Sequence, residues 1–420
     1  MSYDIAIGVQ QQQLNTCSQQ LYSRVPGLFQ GQGSNPKFPG ITMTWSASAA
    51  PTFNLSPSAA TVKCLHDAAR GQLTDAHHDV LTTELVASAL NNMPAFEFTF
   101  SNLHVVLQQP GGEQTTLDIP ATIACLLQVS GGDLQFVANS VTIPQQSDPT
   151  QDFFVQYLVK PQLLETVKQT LAGLKVPAPQ MPGIQLTPIT ATIQNGYVLG
   201  LANLGWKGPA SFDGLDWPGG GFFAVMSQDA MQAVTNAAIG TTRNIPGGGD
   251  VGTDVGGADY SYSINIRNPT IAFSGPNIEI HFGIDGNVSA HVKVLFVKIG
   301  VNYDVLGGPA PIAYTALGPA SGSNMNIVAR SLNAFTFLLK PSGSVLDKIL
   351  SAITWPITQA ITAVVAPIVT TSLHNINFTS YRLPDYSVSI QGHTLQFTPQ
   401  VERVDTVPGR VRITGNLQVS

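Results

Sequence analysis

Apolar and polar positions alternate along much of this chain, and between the alternating runs they fall into a helical spacing. In "ITMTWSAS", Ile41, Met43, Trp45 and Ala47 share one phase, while Thr42, Thr44, Ser46 and Ser48 share the other. "FEFTF" groups Phe96, Phe98 and Phe100; near Asn102 the phase changes and Leu103, Val105 and Leu107 take over. Period-two patterning predicts strands with one apolar face, and the phase change predicts a β-bulge that bends the sheet. "YSINI" and "NIEIHFGID" repeat the pattern, with Ile278, Ile280, Phe282 and Ile284 set against Glu279, His281 and Asp285.

Four segments carry helical spacing. Leu14, Cys17 and Leu21 recur at i, i+3 and i+7 in "VQQQQLNTCSQQL". Met231, Val234 and Ala238 do the same in "SQDAMQAVTNAA", with Ser227 and Asp229 as capping candidates. "PQLLETVKQTLAGL" places Leu163, Leu164, Val167 and Leu171 on one face. The fourth helix is expected at about 344–373 and contains an uncharged run from Ile349 to Leu373. At 1.5 Å per residue that run would be about 37 Å long, which on length alone could span a bilayer. Pro356 and Pro367 interrupt it, and it is two-faced. Ile349, Ile353, Ile357, Ile361, Val364 and Ile368 form one stripe, with Ser351, Thr354, Thr358 and Thr362 opposite. The reading is a long packed helix kinked at proline. A further helix-patterned stretch at about 59–93 is unlike its surroundings and reads as an insert.

The chain also resembles itself. Residues 5–21 align with 222–238 at an offset of 217, which sets Leu14, Cys17 and Leu21 against Met231, Val234 and Ala238. Three shorter matches follow in the same order: "LVKP" at 158–161 with "LLKP" at 338–341, "QLTP" at 185–188 with "QFTP" at 396–399, and "NGYVLGLANL" at 195–204 with "PGRVRITGNL" at 408–417. Ordered matches of this kind predict a duplication. The expected domains are 1–205, including the insert, and 219–420. The Gly- and Pro-rich joint between them, 206–218, is too short for a free linker.

Composition sharpens this picture by exclusion. Charged residues make up 10 % of the 420 residues, against about 25 % in an ordinary soluble domain. The net charge of −6 includes no basic block, so no nucleic-acid partner is expected. Three scattered cysteines, Cys17, Cys64 and Cys125, make neither a disulfide framework nor a zinc spacing. The first residues carry no basic start or apolar run of a signal peptide, so the default expectation is cytoplasmic, with leaderless export as the other route. The His/Asp cluster at 66–79 lacks the i, i+4 histidine pairing of a zincin and reads as a solvated helix face. "PGGGDVGTDVGG" at 246–257 has no Walker lysine and reads as a hairpin loop. No nucleophile elbow is present, and the sequence groups no histidine with a nucleophile and a carboxylate. No catalytic residue, metal or cofactor is expected.

The lead-in and helix at 222–234, the weaker "VQQQQLNTC" at 9–17, and the closing strands "IQNGYVLGLANL" and "GRVRITGNL" resemble those of the tubular lipid-binding (TULIP) superfamily. The resemblance is to two tandem BPI-like or OrfX-type domains of bacterial kind and covers nearly the whole chain. It implies an α+β fold in which each of two units wraps a highly curved antiparallel sheet around a long helix. It also implies non-enzymatic binding or transport of a phospholipid, fatty acid or similar apolar ligand, with peripheral membrane contact. In the first unit the expected tunnel residues are Leu14, Cys17, Leu21, Leu164, Val167 and Leu171. In the second they are Met231, Val234, Ile353, Ile357, Ile361, Val364 and Ile368. An unfilled apolar groove would gain about 0.8 kcal/mol per buried CH₂ of ligand. The competing reading is a toxin-accessory or structural protein with the groove closed, whose apolar helices meet a partner or a bilayer.

Overall fold

The computed structural model describes the chain except Met1 and residues 35–38, 66–93, 131, 173–174, 177–179, 254–255, 276, 295–296, 308–310, 320–323, 334–336, 343–354, 384–385 and 391–392. The chain opens with β1 (Ile5–Gln10), α1 (Gln11–Arg24), a 3-10 turn (Pro26–Phe29), β2 (Gln30–Ser34), β3 (Thr42–Ala47) and β4 (Thr52–Asn54). Three long strands follow, β5 (Ala95–Gln108), β6 (Gln114–Ser130) and β7 (Asp133–Thr142). A continuous helical run comes next: α2 (Pro149–Phe154), a π-helical turn (Val155–Val159) and α3 (Lys160–Ala172). Short strands β8 (Lys175–Val176), β9 (Thr190–Gln194) and β10 (Tyr197–Ala202) lead to the midpoint.

The second half starts again with β11 (Phe222–Ser227) and α4 (Gln228–Ile239). Then come β12 (Thr242–Thr253), β13 (Gly256–Ser274), β14 (Asn277–Val294), β15 (Val297–Gly307), β16 (Ile312–Pro319), β17 (Asn324–Leu332) and β18 (Phe337–Pro341). The chain closes with α5 (Trp355–His374), β19 (Asn377–Arg382), β20 (Tyr386–Ile390), β21 (His393–Val407) and β22 (Arg410–Val419).

These strands form three antiparallel sheets in a broadly α+β fold, two of them curled. One curled sheet runs β2-β3-β5-β6-β7-β8 with β4 on β5; the other runs β12-β13-β14-β16-β17-β19 with β15 and β18 alongside. Between them a seven-stranded sheet takes strands from both halves in the order β20-β21-β22-β11-β1-β10-β9.

The alternating pattern explains the curled sheets. Met43, Trp45, Phe96, Phe98, Phe100, Leu103, Val105 and Leu107 are all buried. The register shift between Phe100 and Leu103 is the bulge expected near Asn102; it keeps both apolar runs pointing inward. The second curled sheet has the corresponding break between Arg267 and Thr270, with Asn268 at positive φ. One apolar core runs through both halves and takes in the inner faces of both curled sheets and one face of the central sheet.

The other face of the central sheet is covered too. Tyr3, Ala6, Leu199, Leu201, Phe223 and Val225 pack beneath Ala210, Phe212, Leu215 and Trp217. Residues 206–217 are therefore a strap pinned at both ends. Lys207 Nζ meets the buried Asp4 carboxylate at 2.8 Å and Asp229 at 2.7 Å. Asp216 takes Arg412 Nε at 2.5 Å and Nη2 at 2.7 Å.

Three sequence expectations need correction. "PGGGDVG" belongs to strand β12, not to a loop: Tyr260 and Tyr262 of β13 pair with Gly249 and Gly247, and the Tyr262 ring takes the space a side chain on Gly247 would need. "LVKP" lies within the helical run 149–172, whereas "LLKP" ends strand β18, so that match is not structural. The face expected for the fourth helix is rotated. Ile361, Val365, Val369 and Leu373 are buried, and so is Thr358, whose hydroxyl meets Tyr303 Oη at 3.0 Å. Val364 and Ile368 are 43 % and 38 % exposed. Isoleucine and valine occur on several sides of this helix, so spacing alone could not choose the buried one. Residues 344–354, Ile353 among them, lie outside the described residues, and so does most of the insert; only 59–65 is seen, as helix. Among the described residues no helix is long and apolar enough to cross a membrane.

Candidate functional site

Helix α1 explains its own glutamine-rich sequence. Gln11 Oε1 accepts from Leu55 N–H (2.8 Å), Asn15 exchanges two bonds with the Phe53 backbone, and Ser18 Oγ donates to Pro51 O (2.6 Å). Gln13 Nε2 donates to Leu417 O (2.7 Å), and Gln20 Oε1 accepts from Val419 N–H (3.0 Å). Uncharged amides satisfy exposed backbone edges on two sheets at once, at a lower desolvation cost than charged groups. The helix is thereby fixed with Leu14, Cys17 and Leu21 turned to the interior.

There they line a cavity of about 90 Å³. Ile7, Val9, Val198, Gly200 and Phe222 of the central sheet form one wall. Phe53, Phe98, Leu134 and Phe136 of the curled sheet face them, and Leu28, Phe29, Thr170 and Leu171 close the sides. Phe397 and Leu417 reach in from β21 and β22, so the site draws on both halves of the chain. Gly200 leaves room on the wall, since a Cβ there would lie 3.3 Å from both Ile7 and Ile189. No ionisable side chain except Cys17 lines the space. Burial pushes the Cys17 thiol up, further than its contact with Gln13 Nε2 (3.6 Å) lowers it, so it stays neutral. A wall of this chemistry offers contact to hydrocarbon and almost no hydrogen bonding. The volume is below the roughly 300–1,000 Å³ of pockets that enclose a drug-sized molecule, so it suits part of a chain.

Of the residues expected in a tunnel, Leu14, Cys17, Leu21 and Leu171 meet at this cavity. Val167 is buried in the core and Leu164 packs against it partly exposed, but neither lines the cavity. Met231 and Val234 of α4 and Ile361 of α5 are buried in the second half. Val364 and Ile368 face outward, and the Ile353 and Ile357 side chains lie outside the described set. Sequence reasoning missed Phe53, Phe98 and Phe136, whose strand phase was the available signal. It also missed Phe397 and Leu417, which nothing local connects to α1.

A second grouping lies on the wet face of the first curled sheet. Ser46, His104 and Asp118 share one cross-strand row, with His104 Nδ1 3.1 Å from Asp118 Oδ1. Both are about half exposed, and β3 and β5 are paired on both sides, so their backbone N–H groups are used in the ladder and not free for an oxyanion. Among the described residues, no three His, Cys, Asp or Glu side chains are placed to hold a metal.

No protein-family model matches this chain, and its sequence matches no curated protein. Among solved structures it is similar to P47 from Clostridium botulinum A2, with 11 % identity over 99 % of this chain and 97 % of that one, at a TM-score of 0.44. It is also similar to lipopolysaccharide binding protein, with 10 % identity over 100 % and 99 % of the two chains and a TM-score of 0.40. P47 of Clostridium botulinum E1 gives 8 % identity, 99 % of both chains and a TM-score of 0.40.

Proposed function

We propose that this chain is a non-enzymatic carrier of lipids or similar apolar ligands, built from two TULIP-like units that hold hydrocarbon between sheet and helix. The observation that carries the reading is the cavity beside α1, walled by Leu14, Cys17, Leu21, Phe98, Phe136 and Phe222 with hardly a polar atom. Buried apolar walls that do not quite meet are costly when empty. A hydrocarbon chain entering them recovers those contacts and leaves water.

The division into units 1–205 and 219–420 belongs to this proposal. Its support is that the aligned segments begin alike: β1 leads into α1 and β11 into α4, and the helices start at Gln11 and Gln228. "QLTP" and "QFTP" also each meet the matched closing segment, in registers two residues apart: Leu186 bridges Leu204, and Pro399 pairs with Leu417.

Native mass spectrometry of the purified chain tests the reading. A carrier shows adduct masses that disappear after organic extraction and return on incubation with fatty acid. A chain that is empty and stays empty favours the second reading, an accessory or structural protein that meets a partner or bilayer through apolar helix surface. The exposed Val364 and Ile368, one turn apart on α5, are the observation behind that alternative.

A further inference from the structure

Strand β3 runs between β2 and β5, and on the outer, wet face of the first curled sheet it carries two short hydroxyl side chains, Thr44 and Ser46. Longer side chains flank them. The cross-strand rows are Gln30–Ser46–His104 and Gln32–Thr44–Val106. Gln30 and Gln32 rise on one side and His104 on the other, which leaves a trough along β3. These six residues line a cavity of about 490 Å³, within the roughly 300–1,000 Å³ of small-molecule sites. Two strand spacings set β2 and β5 roughly 9–10 Å apart, room for a single sugar ring.

The amides here differ from those of α1. Gln11, Gln13 and Gln20 spend theirs on backbone groups. Among the described residues, Gln30, Gln32, Thr44 and Ser46 make no side-chain hydrogen bond within the protein. His104 is oriented from behind: its Nδ1–H donates to Asp118 Oδ1 at 3.1 Å, so the neutral ring keeps Nε2 as an acceptor. Amide, hydroxyl and imidazole groups together donate and accept, and no lysine or arginine lines the space.

We propose that this trough binds a neutral oligosaccharide lying along β3. Its hydroxyls bond to Gln30, Gln32, Ser46 and His104, and a C–H face rests on Val106. Other chemistries fit less well. A phosphate or carboxylate would meet no cation and would face Asp118 beside His104. Hydrocarbon would strip water from the polar groups and give no bond in return. An extended peptide adds to a free sheet edge, whereas β3 is paired on both sides. Met43 and Val105, one position along from Thr44 and His104, are buried in the core. The trough is thus on the opposite face of the sheet from the interior and is independent of the carrier reading.

The test is calorimetric titration of the full-length chain with maltotriose, cellotriose and triacetylchitotriose, with sialyllactose as the anionic contrast. Wild type is compared with the double variant Gln32→Ala/His104→Ala. Both replaced side chains are exposed, so the Tm should not change. Wild type should bind at least one of the three neutral trisaccharides saturably. The double variant, with two hydrogen-bonding groups removed, should bind that sugar at least about tenfold more weakly. Sialyllactose should bind wild type more weakly than the neutral sugar does. Failure of wild type to bind any of the three, equal affinity in the folded variant, or a preference for sialyllactose would overturn the proposal.

Discussion

Ile7 and Ala224 stand opposite each other in the neighbouring antiparallel strands β1 and β11, and the internal alignment sets the same two positions equivalent. Equivalent positions that are also ladder partners lie on a local two-fold axis. The surroundings obey it. Ile7 pairs on its other side with Gly200, and Ala224 with Ile413. Gln11 N–H donates to Gly196 O and Gln228 N–H to Gly409 O, both at 2.9 Å. Across the axis, Gln10 N–H donates to Gly221 O and Ser227 N–H to Asp4 O. The strand–helix units thus meet through a shared sheet, with no flexible joint between them.

This contact depends on matched side-chain sizes. Gly8 pairs with Phe223, and its symmetry mate is the pair Ala6 and Val225. A Cβ on Gly8 would fall 2.3 Å from the Phe223 ring. Gly8→Val should therefore cost about 1–3 kcal/mol, read as a lowered midpoint in chemical denaturation. Gly8→Val with Phe223→Leu should recover most of the loss.

The strap makes a second prediction. Partial burial works against the Lys207 ammonium, but the Asp229 and Asp4 carboxylates outweigh it and hold its pKa above the usual lysine value. Lys207 thus adds stability that is complete below pH of about 10 and is lost as pH rises through the raised value. Lys207→Met leaves the Asp4 carboxylate buried beside Ser227 Oγ and the Leu204 N–H without its cation. The expected cost is about 2 kcal/mol, below that of a fully buried pair because the lysine is partly exposed. Thermal melts at pH 7 and at a pH above the raised Lys207 value check this: the gap between wild type and variant should be full at the first and narrow at the second.

Helix α5 gives a third. Ile361 is fully buried, whereas Ile368 is 38 % exposed. Ile361→Asp should destabilise by at least about 3 kcal/mol, and Ile368→Asp by about 0.5 kcal/mol or less. Denaturant titration separates them, and equal effects would mean that the helix face is wrongly placed.

Legibility followed burial geometry. Phe96, Phe98 and Phe100 could be read as an inner face because the other side of β5 carries the polar Glu97 and Thr99, so alternation survives in the sequence. The bulge was legible for the same reason. The orientation of α5 was not, since its β-branched residues lie on several sides and a threonine is buried for its bond to Tyr303. Glycine-rich β12 read as a loop because its cover comes from tyrosines of another strand. One part of the cavity wall was visible as the stripe Leu14, Cys17 and Leu21. Another part depends on long-range pairing that brings Phe397 and Leu417 to α1, which no local pattern encodes.

The most direct measurement is titration of a fluorescent fatty acid into wild type and Cys17→Phe, whose larger side chain occupies the cavity beside α1, with Tm recorded for both. The account predicts saturable binding to wild type and binding at least about tenfold weaker in the folded variant. Equal binding by both proteins, or none by wild type, would contradict it.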